Sequence, residues 1–105
     1  MKAVVKYAPG RGNIALRHVP EPVPACDQVK IKVMAASICS SDMLYWQRED
    51  MSHRIRCPVI LGHEGAGVAV EVGERVRHVK PGDRVLAETT LQVCNACDAC
   101  SDGRY

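Results

Sequence analysis

The chain has 105 residues, enough for one domain with a modest core. Hydrophobic residues make up 47%, charged residues 25%, and the formal net charge is +2 with no basic cluster, which fits a soluble globular domain and speaks against nucleic acid as a partner. No apolar run approaches membrane-spanning length, and the opening MKAVVKYAPGRG lacks the apolar stretch of an export signal.

Phe is absent and aromatics total 4%, so the core must be aliphatic, and the many valines favour strands. Residues 2–7 (KAVVKY) read as a short strand, closed by a turn at Pro9, Gly10 and Gly12. Residues 14–19 (IALRHV) alternate apolar and polar, which predicts a second strand. Pro20, Pro22 and Pro24 hold the chain extended. Residues 28–35 (QVKIKVMA) carry the clearest period of two, with Val29, Ile31, Val33 and Ala35 sharing one face. Ser40, Ser41 and Asp42 are cap-type residues for a helix over roughly 42–48. Residues 49–57 read as a polar surface loop. Residues 68–72 (VAVEV) read as a strand just after Gly62, Gly65 and Gly67, with a turn at Gly73 and Glu74. A second turn at 81–84 (PGDR) feeds a strand at 85–88 (VLAE). The cysteine-rich tail has no period and is expected to be a loop organised by metal. Short strands separated by Gly and Pro suggest a mainly β barrel or sandwich.

Six cysteines without an export signal favour a cytosolic metal protein over a disulfide scaffold. Cys94, Cys97 and Cys100 stand at two-residue gaps in CNACDAC. Thiolates so spaced wrap one side of a tetrahedral zinc, and a closed structural site takes four protein ligands. Left bare, they would be exposed thiols prone to oxidation. The rival ligation is an iron–sulfur cluster, whose CxxCxxCxxxCP pattern would need Cys and Pro where Arg104 and Tyr105 stand. Zinc therefore leads. A second constellation is Cys39, His63 and Glu64, in ASICSSD and LGHEGAG. Thiolate, imidazole and carboxylate are all zinc ligands, and a catalytic zinc uses three and leaves a position open. A Cys is more often a small core residue and a His–Glu pair a surface feature, so composition alone does not establish this site.

In order and spacing, ICSSD at 38–42, GHEGAGVAVEVG at 62–73, VKPGDRV at 79–85 and CNACDAC at 94–100 together resemble the N-terminal catalytic domain of the zinc-containing medium-chain alcohol dehydrogenases. The resemblance covers nearly the whole chain, and Tyr45 and Trp46 are similar to the sorbitol and polyol dehydrogenase branch, with threonine dehydrogenases close by. It implies a mainly β, GroES-like, partly open barrel over residues 1–105, with short helices and a zinc-binding loop lobe. It also implies that the chain is a fragment lacking the Rossmann domain, with the fourth structural cysteine just beyond Tyr105. Consistent with that expectation, no GxGxxG occurs in it. Carried over by position, Cys39 and His63 match catalytic-zinc ligands, and Glu64 an acid that ligates the zinc or sits behind it. Ser41 matches a proton-relay hydroxyl, and Asp42 an acid that orients the ligand histidine. Cys94, Cys97 and Cys100 match structural-zinc ligands.

The implied parent is a cytoplasmic, homo-oligomeric, NAD- or NADP-dependent enzyme. It would oxidise a small alcohol or polyol by hydride transfer, with no membrane or nucleic-acid partner, and the fragment alone would be inactive. The alternatives are a non-catalytic zinc-binding barrel module and a co-chaperonin-like assembly protein. Retention of Cys39, Ser41, Asp42, His63 and Glu64 as a set weighs against the first, and the CxxCxxC segment against the second. Tyr45 and Trp46 are pocket-wall or core residues. Cys26, Cys57, His18 and His78 read as packing or surface residues, His53 as part of a polar loop, and Glu88 as a weak contact to the tail.

Overall fold

In the computed structural model, residues 1–48, 55–87 and 96–104 are described. Two three-stranded antiparallel sheets make the framework. The first has the order β2–β1–β4, from β1 (Lys2–Lys6), β2 (Ile14–His18) and β4 (Val59–Ile60). The second has the order β3–β5–β6, from β3 (Val29–Ala36), β5 (Gly65–Val72) and β6 (Arg84–Leu86). Helix α1 (Ser40–Gln47) follows β3, and a single helical turn, α2 (Asp98–Ser101), lies in the tail. This is the mainly β barrel-like architecture with short helices that the sequence implies.

The register explains how the two candidate ligand segments meet. β1 lies between β2 and β4, pairing Lys6 with both Ile14 and Val59. The Leu61 amide donates to the Val4 carbonyl at 2.9 Å, carrying the pairing to within two residues of His63. In the other sheet Ala36 pairs with Gly65, and the Ser37 amide donates to the Glu64 carbonyl at 3.0 Å. The end of β3 and the start of β5 are thereby held side by side, with Cys39 just past one and His63 just before the other.

Two register shifts interrupt the β3–β5 pairing: between Lys30 and Ile31 the extra residue is Val70 of β5, and between Val33 and Ala35 it is Met34 of β3. The face expected to be apolar in β3 is not covered along its length. Val29 and Ile31 are partly covered, but Val33 is 60% exposed. Gly67 sits opposite Val33, and a Cβ there would lie 2.2 Å from the Lys32 carbonyl oxygen. Only glycine lets the strands approach so closely. β5 starts at Gly65, not at 68 as expected, and takes in Gly67 as a strand residue. The buried apolar residues are Ala3, Val5 and Ala69, a small aliphatic core among the described residues.

Other differences are local. The helix starts at Ser40, with Cys39 in the N-cap position and Asp42 in its first turn, so the capping residue lies one position ahead of the serines. The tail, expected to be all loop, forms α2, with the Ser101 amide donating to the Cys97 carbonyl at 3.0 Å. β4 escaped prediction because two residues carry no period. The PGDR turn stands as expected, the Lys80 amide donating to Asp83 Oδ2 at 3.0 Å. Cys94, His53 and Glu88 lie outside the described residues, as does most of the loop expected at 49–57. No helix among the described residues is long and apolar enough to cross a membrane.

Candidate metal centre

Cys39, His63 and Glu64 converge. Their Sγ, ring nitrogen and carboxylate oxygen all lie within 4.8 Å of one another, and all three residues are half-buried. These are the thiolate, imidazole and carboxylate donors that zinc takes, at a spacing one ion can draw together. Sequence distance conceals this proximity, and the β3–β5 register creates it.

The surrounding groups orient the donors. Asp42 reaches both segments: its Oδ2 accepts from the Cys39 amide at 3.1 Å, and its Oδ1 lies 3.7 Å from His63 Nδ1. A carboxylate facing Nδ1 favours the proton there and leaves Nε2 as the ring's lone-pair donor. Ser41 Oγ lies 3.3 Å from that Nε2. The Ser37 hydroxyl donates to Glu64 Oε2 and fixes the carboxylate. Ser37 was not singled out from the sequence. Its only signal is positional, as the residue that continues the ladder one step beyond Ala36–Gly65.

The electrostatics follow from these contacts. Hydrogen bonds from Ser41, hydroxyl and then backbone, and next from His63, hold the Cys39 thiol below its usual range. The hydrogen bond with Cys39, and after it the charge of Asp42, raise His63 above its ordinary value against a partial desolvation. The Ser37 hydroxyl, followed by Cys39, lowers Glu64. The cluster thus favours thiolate and carboxylate, the forms that bind cations, while the imidazole keeps its proton longer than an isolated histidine would.

In the tail, the Sγ atoms of Cys97 and Cys100 are 3.5 Å apart. That is close to the edge of about 3.8 Å expected for a tetrahedron with Zn–S of about 2.3 Å. Cys97 is exposed and Cys100 half-buried.

An apolar cavity of about 450 Å³ lies beside the centre. Val4, Ile14, Ile38, Met43, Trp46 and Leu61 supply most of its wall. Ser37, Asp42 and Gly62 also line it, whereas Cys39, Ser41 and His63 do not. The cavity therefore backs onto the segments that carry the candidate ligands. Of the aromatic pair, Trp46 lines it and Tyr45 does not.

The Alcohol dehydrogenase GroES-like domain family matches residues 25–105. The chain is 43% identical over 105 residues to the sorbitol dehydrogenase of Halalkalibacterium halodurans, covering 100% of this chain and 30% of that protein. It is equally, 43%, identical over 106 residues to the L-threonine 3-dehydrogenase of Pyrococcus horikoshii, again covering 100% of this chain and 30% of the relative. Among solved structures, zinc dependent alcohol dehydrogenase 2 from Streptococcus pneumonia superposes with a TM-score of 0.80 at 31% identity, over 98% of this chain and 28% of that one. The chain belongs to the alcohol dehydrogenase GroES-like domain family, on the side of the sorbitol and threonine dehydrogenases. It spans about 30% of the length of these relatives and corresponds to their N-terminal domain.

Proposed function

We propose that this domain forms the zinc-binding part of an NAD(P)-dependent dehydrogenase acting on a small secondary alcohol or polyol, with Cys39, His63 and Glu64 as ligands of the catalytic zinc. The observation that carries the reading is the convergence of those three donors within 4.8 Å, flanked by Ser41 and Asp42. The donor set fits the ion in type and number, and leaves a coordination position for a small molecule. When bound, zinc supplies a Lewis acid that polarises an alcohol oxygen.

The protein's own groups do the rest. Asp42 holds the His63 ring by its Nδ1 edge and the Cys39 backbone by its amide, keeping both donors aimed at one point. Ser41, 3.3 Å from His63 Nε2, is the hydroxyl placed to take an alcohol proton and pass it outward. Ser37 keeps Glu64 anionic and in place. The hydride acceptor would be the nicotinamide cofactor, whose reactivity is its own. Cys97 and Cys100, with Cys94, are assigned to a structural zinc that ties down the tail, supported by the 3.5 Å thiol separation.

Elemental analysis tests this, on protein purified without tags, beside Cys39→Ser and Cys97→Ser. Each substitution should remove one zinc while leaving the other. Zinc content unchanged in Cys39→Ser would sink the catalytic-site assignment. Activity of the full polypeptide against secondary alcohols and polyols, with NAD and NADP in turn, then settles substrate and cofactor.

A further inference from the structure

Lys6 has the most buried large side chain among the described residues, at 2% exposure, in a domain whose other lysines are surface or near-surface groups. A buried ammonium persists only where hydrogen bonds replace its water. Lys6 Nζ donates to the Gly10 carbonyl at 2.6 Å and to the Gly12 carbonyl at 2.9 Å, both in the β1–β2 loop. Among the described residues no carboxylate pairs with it. The charge is therefore used to fold a loop onto the end of β1.

That loop is tied to helix α1. The Gly12 amide donates to the Trp46 carbonyl at 2.7 Å, satisfying one of the carbonyls a helix leaves open at its C-terminal end. The tie matters because α1 is not fixed by a buried face of its own. None of its side chains is buried, and Met43 and Trp46 face the cavity, not a packed core. Core packing, which usually fixes a helix, contributes little here. At its other end α1 carries Ser41 and Asp42 and is capped by Cys39. The same strand β1, through the Val4 carbonyl, holds Leu61 two residues before His63. One strand thus controls both halves of the candidate centre: one half through backbone pairing, the other through Lys6 and its loop.

We propose that Lys6 is a positioning residue for the candidate metal centre, setting where α1 places Cys39, Ser41 and Asp42 against His63. This rests on the metal-site reading for its purpose, but its geometry is independent of any metal. The test uses Lys6→Met, which keeps the apolar stem and removes the ammonium, and Lys6→Gln, which restores two N–H donors for the two carbonyls. Circular dichroism establishes that each variant is folded, and Lys6→Leu, which also lacks the ammonium, takes the place of Lys6→Met should that variant not fold. In metal-free protein at one fixed pH, the His63 ring signals by nuclear magnetic resonance should move in Lys6→Met, and return toward the parent in Lys6→Gln. The His18 and His78 signals should stay put. With cobalt(II) as probe, Lys6→Met should bind about tenfold more weakly and with an altered visible spectrum, as expected for loss of a group that orients ligands. His63 signals unmoved in a folded variant that lacks the ammonium and its N–H donors, or His18 and His78 moving as far as His63, would overturn the proposal. A parent protein that takes up no cobalt, while His63 still responds to Lys6, would overturn the metal reading and uphold the coupling.

Discussion

Asp42 is where stability and metal affinity can be separated by two substitutions at one position. Its side chain is only 12% exposed and serves both segments: one oxygen on the Cys39 amide at 3.1 Å, the other 3.7 Å from His63 Nδ1. In Asp42→Ala the Cys39 amide loses its acceptor, worth about 1 kcal/mol. The first turn of α1 also loses a favourable negative charge, worth about 0.5 kcal/mol. A loss of about 1.5 kcal/mol in a domain of this size lowers the melting temperature by about 6–12 °C. Freed of its orienting carboxylate, His63 should also cost the centre about 10–100-fold in zinc affinity. Asp42→Asn behaves differently. An amide has one carbonyl oxygen and one NH₂, so it can keep the Cys39 bond or face the His63 N–H, but not both. It should therefore melt within about 3 °C of the parent while still losing about tenfold in affinity. The assay is competition for zinc against a chromophoric chelator, with thermal melts of the metal-free proteins alongside. Parent-like zinc affinity in Asp42→Asn would refute the claim that this carboxylate orients the ligand. A melting loss in Asp42→Asn as large as in Asp42→Ala would refute the separation of the two roles.

The pH dependence of metal binding follows from His63, whose protonated form persists above its ordinary range because of Cys39 and Asp42. Zinc must displace that proton, so apparent affinity should fall as pH drops through about 8 to 5, measured with the same competing chelator; a flat profile would exclude His63 as a ligand. For the metal-free fold the sign is opposite. A raised histidine contributes stability that is full below its unfolded value and lost as pH rises through its folded value, so zinc-dependent stabilisation should widen with pH in paired melts. Gly67→Ala should cost about 1–3 kcal/mol or more by chemical denaturation, because its Cβ meets backbone at 2.2 Å; a neutral result would show that the β3–β5 spacing is soft. The domain by itself should self-associate, since Ile38, Leu86, Met34 and Val33 are 79%, 79%, 69% and 60% exposed; monodisperse monomer in light scattering at high concentration would contradict this.

Local pattern made several elements legible. The short strand at KAVVKY and the alternation of IALRHV marked β1 and β2, and the PGDR turn needed only its own residues. The errors fall where a neighbour decides. Gly65 and Gly67 stand ahead of the strand expected at 68–72 and are strand residues through their pairing with Ala36 and Val33, with the Lys32 backbone lying against Gly67. The expected apolar face of β3 is covered at Val29 and Ile31 but left open at Val33, since what covers a face is set by the rest of the fold and leaves no mark on β3 alone. The donors of the candidate site could be named from residue type and resemblance. Ser37 could not, since its role exists only through a register that sequence does not display.

Lys6 shows the same limit from the other side. By composition a lysine in KAVVKY belongs on the surface, and the strand's alternation puts it on the face of Val4. Two glycine carbonyls, exposed by a loop that turns back over the strand end, make burial of the charge affordable. The sequence holds both parts, the lysine and the PGRG loop, but no local rule connects them. The connection becomes meaningful only once α1 is seen to lack buried side chains, because a helix set over a cavity must be held by polar ties at its ends. Cys39 and Asp42 form one such tie and Gly12 with Trp46 the other. The precision of the centre therefore depends on hydrogen bonds more than on packing. Substitutions that alter those bonds without changing apolar volume should perturb His63 and metal affinity more than they perturb the melting temperature, whereas truncations in the small core at Val5 should do the reverse.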